Sequence, residues 1–230
     1  GGGVGSVMAS WIVDGICPVD NAGLTLERAL PFEGTRRFRS ERTVEQLGVL
    51  FGDGAFPTFH QHSARGVRRS PLHHVWAERG GYFAGASGWE DPEWFSPTGE
   101  NAPVPCTWER GYWTPWVAEE HRTVREAVGV MDMTLMSKFL VQGPHAAAIL
   151  DRLSANAVVG EVGKVTYTQW CNERGGIEAD LTVTRLEEER FLVVVSDVSH
   201  RRVQRMLQAE LREGEVATVT EFRGRRRRLR

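Results

Sequence analysis

Asp180 is the residue whose type and position first suggest chemistry. It lies in a predicted strand over 177–185 in which apolar and polar residues alternate, and it falls on the polar face. The apolar face of this strand carries Ile177, Ala179, Leu181 and Val183. An exposed strand carboxylate can accept and direct a proton of an amine nucleophile. The residues alone favour a simpler interpretation, in which Asp180 is a solvated surface acid.

The strand of Asp180 is predicted to form the second half of a β-hairpin. The first strand is predicted over 167–171, and the connection over 172–176 ends in Gly175 and Gly176. Glycine readily adopts the positive φ that a reversing turn needs. The two strands are therefore expected to pair directly.

An aromatic strand, an Asn, a Gly-Gly turn and an acid before Leu-Thr-Val resemble the folate-binding hairpin of the aminomethyltransferase (glycine-cleavage T-protein) family. The local sequence is most similar to the flavoprotein branch, the dimethylglycine and sarcosine dehydrogenases. The resemblance implies that Asp180 is the catalytic acid, which organises the amines N5 and N10 of tetrahydrofolate. It also implies that Met136, Tyr167 and Val195 line the pterin pocket. Asp197, a further cofactor-binding position, stands where the T-protein pattern has an Asn, and a carboxylate lacks the donor of that amide.

Three glycines near the start of the chain, Gly2, Gly3 and Gly5, are predicted to precede a short helix. Glycines before a helix let backbone N–H groups approach a phosphate or an anionic ring oxygen. The segment resembles the end of the flavin domain in enzymes of the dimethylglycine dehydrogenase type, which implies that these glycines lie against FAD. Residues 1–35 are accordingly predicted to be the C-terminal end of an FAD-dependent oxidoreductase domain. A terminal linker is the alternative, because no strand precedes the glycines.

Residues 36–105 resemble the central connecting domain of the same flavoenzymes. The similarity lies in four stretches: 36–38, 42–48, 68–74 and 88–95. Helices are predicted over 42–51 and from Ser70 to Gly80. A Pro, Gly and Asn cluster over 96–105 predicts the boundary to a second unit.

Six of the eight tryptophans fall between residues 76 and 116. They are Trp76, Trp89, Trp94, Trp108, Trp113 and Trp116. Their rings could stack a flavin or folate, but large amphipathic aromatics also join subdomains. We favour the packing interpretation.

Residues 106–222 are predicted to be the N-terminal part of a folate-binding aminomethyltransferase-like α+β domain. The apolar run over 191–195 predicts a central strand buried on both faces. The predicted elements, in order, are a helix over 114–129, a strand over 138–142, a helix over 144–153, the hairpin, the central strand, a helix capped by Ser199 and a strand over 217–222. This order favours a mixed α+β layer. The last helix is predicted to bury a stripe of Val203, Met206, Leu207 and Leu211.

Composition argues against several kinds of partner. Hydrophobic residues make up 41% and charged residues 25%, and no apolar run approaches the roughly 20 residues that span a bilayer, so no membrane role is expected. Six of the residues at 223–230 are arginines. Such a run could bind nucleic acid, form a solvated tail or mark an interrupted sequence, and we favour the solvated tail and predict no nucleic-acid partner.

The metal-binding residue types show no recognisable spacing. Cys17, Cys106 and Cys171 are widely separated, which fits neither a disulfide framework nor a zinc site. The histidines at 60, 62, 73 and 74 match no zinc pattern either, so no metal is expected. The cysteine usage predicts a reducing compartment, the cytoplasm or, in a eukaryote, the mitochondrial matrix.

The expected fold is therefore α+β: the end of a flavin domain and a small connecting domain, followed by a truncated folate-binding domain. The expected function is that of a fragment, inactive alone, of a flavin- and tetrahydrofolate-dependent oxidative demethylase of N-methylglycines. In that family flavin takes a hydride from the N-methyl amine, and tetrahydrofolate captures the resulting iminium carbon. The expected partners are a small N-methyl amine substrate and a missing flavin domain or electron acceptor. The alternative is a non-catalytic folate-binding or scaffolding module of the same family.

Overall fold

The computed structural model describes residues 1–15, 17–19, 28–51, 61–99 and 107–222. The helices in these ranges are α1 (Gly2–Asp14), α2 (Arg36–Phe51), α3 (His73–Glu78), α4 (Thr114–Glu126), α5 (Ala146–Leu153) and α6 (His200–Ala209). The strands are β1 (Gly81–Ala86), β2 (Trp89–Phe95), β3 (Ser137–Gln142), β4 (Val165–Cys171), β5 (Ile177–Glu187), β6 (Arg190–Val195) and β7 (Thr218–Phe222). Mixed helix and sheet confirm the α+β prediction, whereas a preceding flavin domain is not among the described residues.

Strands β3 to β7 form one antiparallel sheet in the order β4-β5-β6-β3-β7. Side chains alternate between its faces, and one face is buried against α5 and α6. The core that results consists of Phe139, Val141, Ala146, Leu150, Val158, Trp170, Ala179, Leu181, Val183, Phe191, Val193, Val195, Val203 and Leu207. The predicted order of strands and helices in this unit is confirmed.

Strand β6 is central in the sheet, as predicted, but its two faces differ. Phe191, Val193 and Val195 are buried, whereas Leu192 and Val194 keep part of their surface exposed. The prediction of burial on both faces is wrong, because α5 and α6 supply core residues to the first face only.

The turn between β4 and β5 is organised by Asn172. Its side-chain Oδ1 accepts hydrogen bonds from the backbone amides of Arg174 (3.0 Å) and Gly176 (2.9 Å), and its backbone N–H donates to the Gly176 carbonyl oxygen at 2.9 Å. Gly175 has the positive φ, 78°, that a non-glycine residue rarely adopts. The predicted hairpin is confirmed, although Ile177, expected on its apolar face, is 66% exposed.

A second hairpin, β1–β2, was not predicted from the sequence. Its two-residue turn consists of Ser87 and Gly88, both with positive φ, which is the geometry of a type I′ turn. A Cβ atom at Gly88 would lie 2.4 Å from the ring of Phe32, so the position also needs the small residue. Glycines in β1 and Pro92 in β2 weaken the strand pattern in the sequence, which explains why the hairpin escaped prediction.

Most of the tryptophans pack this second hairpin against the neighbouring helices. The Trp94 ring stacks on Tyr82 (centroids 4.0 Å apart) and on Trp113 (5.6 Å), and Trp76 meets Phe95 edge to face at 5.8 Å. The packing interpretation is confirmed for these residues. It is wrong for Trp108, which is 98% exposed.

Three predicted helix features need correction. Helix α2 begins at Arg36, six positions before the predicted start at Arg42. Leu211, predicted in the buried stripe of α6, lies beyond the end of that helix and is 41% exposed. The hydroxyl of Ser199 makes no capping hydrogen bond, although Ser199 is the N-cap residue of α6.

Several sequence predictions fall outside the described residues. These are the arginine-rich segment at 223–230, Cys106, His60 and most of the predicted boundary over 96–105. Among the helices of the described ranges, none is both long enough and apolar enough to cross a bilayer.

Matched Leu→Ala variants should separate the core from the surface. Leu150 on α5 is fully buried and Leu50 on α2 is 71% exposed. We expect Leu150→Ala to lower the free energy of unfolding by about 2–5 kcal/mol and Leu50→Ala to change it by less than about 0.5 kcal/mol, measured by urea denaturation. Equal effects of the two variants would show that α5 does not pack on the sheet as described.

Candidate functional site

A cleft of about 760 Å³ opens where β5 begins. Its walls come from four segments of the chain: the start of β5, the turn before α6 with the first turn of that helix, the residues around 28–33, and the β1–β2 turn. The lining residues are Arg28, Ala29, Glu33, Ser87, Ile177, Glu178, Ala179, Asp180, Val198, Ser199 and Arg202. The volume is within the range of small-molecule and cofactor sites, about 300–1,000 Å³.

Asp180 is the predicted catalytic residue that lines this cleft. Its side chain is exposed, as the alternation of β5 predicted, and its Oδ2 accepts a hydrogen bond from the Tyr167 hydroxyl at 3.3 Å. An ionised carboxylate has about four lone-pair sites, so this contact leaves acceptor capacity for a ligand N–H. Tyr167 is 57% exposed and belongs to the neighbouring strand β4.

The cleft wall next to Asp180 is fixed by Glu178. The Glu178 carboxylate accepts a hydrogen bond from Asn172 Nδ2 at 2.9 Å and pairs with Arg202 Nη1 at 2.9 Å. Arg202 also donates to the Glu178 carbonyl oxygen at 3.0 Å. The wall therefore joins the hairpin turn to helix α6.

The sheet brings Met136 and Asp180 to the same end. Ser137 on β3, which follows Met136, and Leu181 on β5, which follows Asp180, both pair with Val195 on β6. Since neighbouring strands are about 4.8 Å apart, the backbones of Met136 and Asp180 are expected to lie about 10 Å apart. Met136 is half-buried and is not among the cleft-lining residues.

The side chain of Val195 does not lie on the same face as Asp180. It is 1% exposed and belongs to the core, on the face opposite to Asp180. A ligand that is bound beside Asp180 can therefore meet only the main chain of Val195, and the place of Val195 in the pterin pocket stays a prediction.

Asp197 is buried rather than open to a ligand. Its carboxylate accepts hydrogen bonds from Arg68 Nη1 (2.8 Å), Arg68 Nη2 (3.1 Å) and Ser137 Oγ (2.9 Å). The neighbouring residues Val198 and Ser199, however, line the cleft. Asp197 can therefore affect cofactor binding only indirectly, by holding the turn to which Val198 and Ser199 belong.

The loop before β3 is held from two directions. Asp132 accepts hydrogen bonds from the Ser70 hydroxyl, from Trp76 Nε1 at 3.0 Å and from the Thr134 amide at 3.0 Å. Lys138 Nζ donates to the carbonyl oxygens of three loop residues, at 2.7 Å in the case of Met136. Burial lowers the pKa of Lys138, and the charges of Asp132 and Asp197 oppose that shift.

The predicted FAD-binding glycines are placed differently from the expectation. Gly2, Gly3 and Gly5 lie inside the first turns of α1 rather than before it, and no residue of α1 is buried or lines the cleft. Their role toward FAD stays a prediction. Within the described ranges, no three His, Cys, Asp or Glu side chains lie close enough together to hold a metal ion.

Three residues that shape this region, Arg68, Asp132 and Lys138, were not identified as functional from the sequence. Arg68 and Asp197 are 129 positions apart, and nothing in the local pattern of either residue predicts their contact. Lys138 and Asp132 look like ordinary surface charges in the sequence. Only the alternation of β3, which puts Lys138 on the face opposite to Phe139, could have indicated where its ammonium lies.

The structure is thus an α+β domain with a cleft of small-molecule size at one end of an antiparallel sheet. The family profile described as the GCVT N-terminal domain matches residues 72–226. Because this match covers more than half of the chain, the chain belongs to that family.

Relatives of the chain include enzymes and a regulatory protein. It is 32% identical to 4-methylaminobutanoate oxidase (formaldehyde-forming) of Paenarthrobacter nicotinovorans, over 94% of this chain and 26% of the relative. It is 28% identical to mitochondrial dimethylglycine dehydrogenase of Rattus norvegicus, over 97% of this chain and 26% of the relative. The mitochondrial pyruvate dehydrogenase phosphatase regulatory subunit of Mus musculus is 30% identical over 84% of this chain and 23% of the relative. The chain thus spans about a quarter of the length of these proteins.

A solved structure supports the fold. The glycine cleavage system aminomethyltransferase T from Bartonella henselae superposes with a TM-score of 0.50 at 24% sequence identity, over 68% of this chain and 38% of that one. Together with the family match and the relatives above, this confirms the predicted resemblance to aminomethyltransferases and to dehydrogenases of the dimethylglycine type.

The hydrogen bonds to Asp132 predict a pH-dependent contribution to stability. Burial opposes ionisation of Asp132, but hydrogen bonds from Ser70, Thr134 and Trp76 outweigh it and lower the pKa to about 2, below the ordinary 3.8. The folded state therefore favours the carboxylate above the unfolded pKa, and this advantage is lost as the pH falls through the folded pKa.

We expect wild type to be more stable than Asp132→Asn near neutral pH, and the difference to shrink as the pH falls from about 5 to about 2. Urea unfolding at a series of pH values measures this difference. Asp151 on α5 accepts a hydrogen bond from the Val158 amide at 3.3 Å. The variant Asp151→Asn is therefore a control for other effects of acid on the fold. A difference that does not change with pH would contradict the assignment.

Proposed function

We propose that this chain binds tetrahydrofolate in the cleft beside Asp180. The observation that carries the proposal is an exposed carboxylate with spare acceptor capacity, which lines a cleft of about 760 Å³. Membership of the GCVT N-terminal domain family supports the choice of ligand. The ligand's amines match the carboxylate, because an N–H group can donate to it.

In this proposal the side chains of the hairpin hold and direct a proton. Asp180 accepts a hydrogen bond from the ligand amine and orients the nitrogen lone pair toward an incoming carbon. Tyr167 donates to one carboxylate oxygen and so fixes the orientation of Asp180. Tetrahydrofolate, when bound, supplies the amine nucleophiles that take up a one-carbon unit.

We further propose that the site works within a flavin-dependent oxidative demethylase of N-methylglycines or a related N-methyl amine. The named activities of the dimethylglycine dehydrogenase and 4-methylaminobutanoate oxidase relatives support this. The partners would be the small amine substrate and a flavin domain or electron acceptor outside the described residues. The compartment would be the cytoplasm, or the mitochondrial matrix in a eukaryote.

A non-catalytic folate-binding or scaffolding module is the second candidate. It is favoured by the 30% identity to a protein that is named as a regulatory subunit rather than as an oxidase. The two candidates share the folate site and differ in whether an oxidation precedes it. Flavin in the purified protein would therefore favour the demethylase, whereas absence of flavin is expected of both candidates for a chain that spans about a quarter of these relatives.

Asp180→Asn should weaken tetrahydrofolate binding without affecting the fold. Loss of a charge-assisted hydrogen bond costs about 1.5–3 kcal/mol, or roughly ten- to a hundredfold in affinity. Isothermal titration of the chain under anaerobic conditions measures the dissociation constant. The melting temperature should not change, because an exposed strand acid supports no core.

The matched control is Glu187→Gln, which removes an exposed acid from the same strand but outside the cleft. Its affinity for tetrahydrofolate should equal that of wild type. Equal affinities of all three proteins would return Asp180 to the role of a solvated surface acid.

FAD should bind the 230-residue chain weakly or not at all, because Gly2, Gly3 and Gly5 lie within an exposed helix without a surrounding pocket among the described residues. Titration of FAD, followed by its fluorescence, measures this. Stoichiometric quenching with sub-micromolar affinity would contradict the prediction and favour the demethylase over the non-catalytic module. Free FAD in buffer and the chain with Gly3→Val, which blocks a close backbone approach at that glycine, are the controls.

A further inference from the structure

Arg68 lies behind the cleft and makes contacts on several sides. Its amide donates to the Gly88 carbonyl oxygen at 2.9 Å, and its carbonyl oxygen accepts from the Glu90 amide at 3.0 Å, so its backbone extends the β1–β2 hairpin. Its guanidinium lies over the Trp89 ring, 4.2 Å from the centroid. The stacking and the backbone contacts together fix where the guanidinium can reach.

The guanidinium of Arg68 donates hydrogen bonds to two segments that form opposite walls of the cleft. Nη1 donates to the carbonyl oxygen of Ser87 at 3.1 Å and to Asp197 Oδ2 at 2.8 Å, and Nη2 donates to Asp197 Oδ1 at 3.1 Å. Ser87 lines the cleft on the hairpin side. On the other side, Asp197 begins the short 3-10 turn of Asp197–Ser199, whose Val198 and Ser199 also line the cleft.

Asp197 is held from its far side as well. The Ser137 hydroxyl donates its single proton to Asp197 Oδ1, so the contact of 2.9 Å between Ser137 Oγ and His200 Nδ1 has the ring as donor. His200 Nε2 lies 2.8 Å from a carboxylate oxygen of Glu221. Both ring nitrogens of His200 thus lie against oxygen atoms, which connects Asp197 through Ser137 to helix α6 and strand β7.

We propose that Arg68 is a positioning residue, which sets the separation between the β1–β2 turn and the 197–199 turn and thereby shapes the cleft beside Asp180. This rests on the proposed function, because the ligand of the cleft is taken to be tetrahydrofolate. Arg68 is not among the cleft-lining residues. It acts through Ser87 and Asp197, and its side chain is largely buried, with 16% of its surface exposed.

Arg65 provides a matched comparison in the same segment. It also makes a two-armed contact with a buried carboxylate, that of Glu90, and it also donates to a main-chain oxygen, that of Phe83 at 2.9 Å. The exposed fraction of the carboxylate side chain is 8% for Glu90 and 5% for Asp197. Glu90 and Phe83 lie within the β1–β2 hairpin, and a third hydrogen bond, from Arg65 Nη1 to the Gln61 carbonyl oxygen at 3.2 Å, is local in the sequence, so none of these contacts crosses to the 197–199 turn.

The experiment compares Arg68→Lys with Arg65→Lys. Lysine keeps the charge but cannot form the two-armed contact. Both variants should lower the melting temperature to a similar extent. Only Arg68→Lys should weaken tetrahydrofolate binding, by about tenfold, in anaerobic titrations carried out well below both melting temperatures.

Hydrogen exchange adds a measurement that needs no ligand. The Ser199 amide donates to the Ser196 carbonyl oxygen at 3.0 Å, so its exchange rate reports whether the 197–199 turn is formed. Mass spectrometry of peptides that cover 196–200 should show faster exchange in Arg68→Lys than in Arg65→Lys or wild type. If exchange there is the same in all three proteins, Arg68 does not position the turn, whatever the ligand is.

The two measurements separate the possible failures. Faster exchange without any tetrahydrofolate binding by wild type would reject the proposed function and keep the role of Arg68 in holding the turn. Tetrahydrofolate affinity that falls equally in both variants would overturn the positioning role, since a general loss of stability would then explain it. If Arg68→Lys does not fold, the double variant Arg68→Met/Asp197→Asn, which leaves no buried charge unpaired, takes its place with the same expected results.

Discussion

The pleat of the five-stranded sheet is the constraint on which the rest of the structure depends. Successive side chains point to opposite faces, so the residues that build the core fix by elimination those that can meet a ligand. Leu181 pairs with Val195 on the buried face, and Asp180, one position earlier, must lie on the other. A shift of one residue in the register of β5 would bury the carboxylate and expose the leucine. Core packing and the placement of the candidate catalytic acid are therefore one requirement on the sequence.

The cleft needs a second kind of interaction, because its walls come from distant parts of the chain. The pair between Arg68 and Asp197 supplies one such connection. Buried ion pairs contribute little net stability, since the desolvation of both charges offsets their attraction, but removal of one partner costs about 3–5 kcal/mol. The geometry of such a pair is restrictive even where its net energy is small. Its effect here is to fix the position of the 197–199 turn rather than to stabilise the sheet, which has its own apolar core.

The sequence predicted those features whose signal is local. The period-2 pattern of 177–185 was sufficient to predict both the hairpin and the exposure of Asp180, and the glycines indicated the turn. The apolar run of β6 was not sufficient in the same way, because a continuous apolar run does not show which of its residues face the core and which stay partly exposed. The contact of Arg68 with Asp197 could not be predicted, because a pairing across 129 positions depends on how the two segments fold together. The β1–β2 hairpin could not be predicted either, because Pro92 and the glycines weaken the strand pattern and tertiary contacts stabilise the two strands.

The position of Asp180 argues for a ligand more strongly than for a structural role. Aspartate is disfavoured in strands, so its presence in the middle of β5 calls for a compensating contact. Glu178, two positions earlier, has such contacts with Asn172 and Arg202, and the fold explains it. Among the described residues, the Asp180 carboxylate accepts a hydrogen bond from the Tyr167 hydroxyl, at a long 3.3 Å and in an exposed position. Such a contact orients the carboxylate but contributes little to the stability of the strand. The proposed amine ligand in the adjoining cleft would account for an acid at this position better than the contacts of the described residues do.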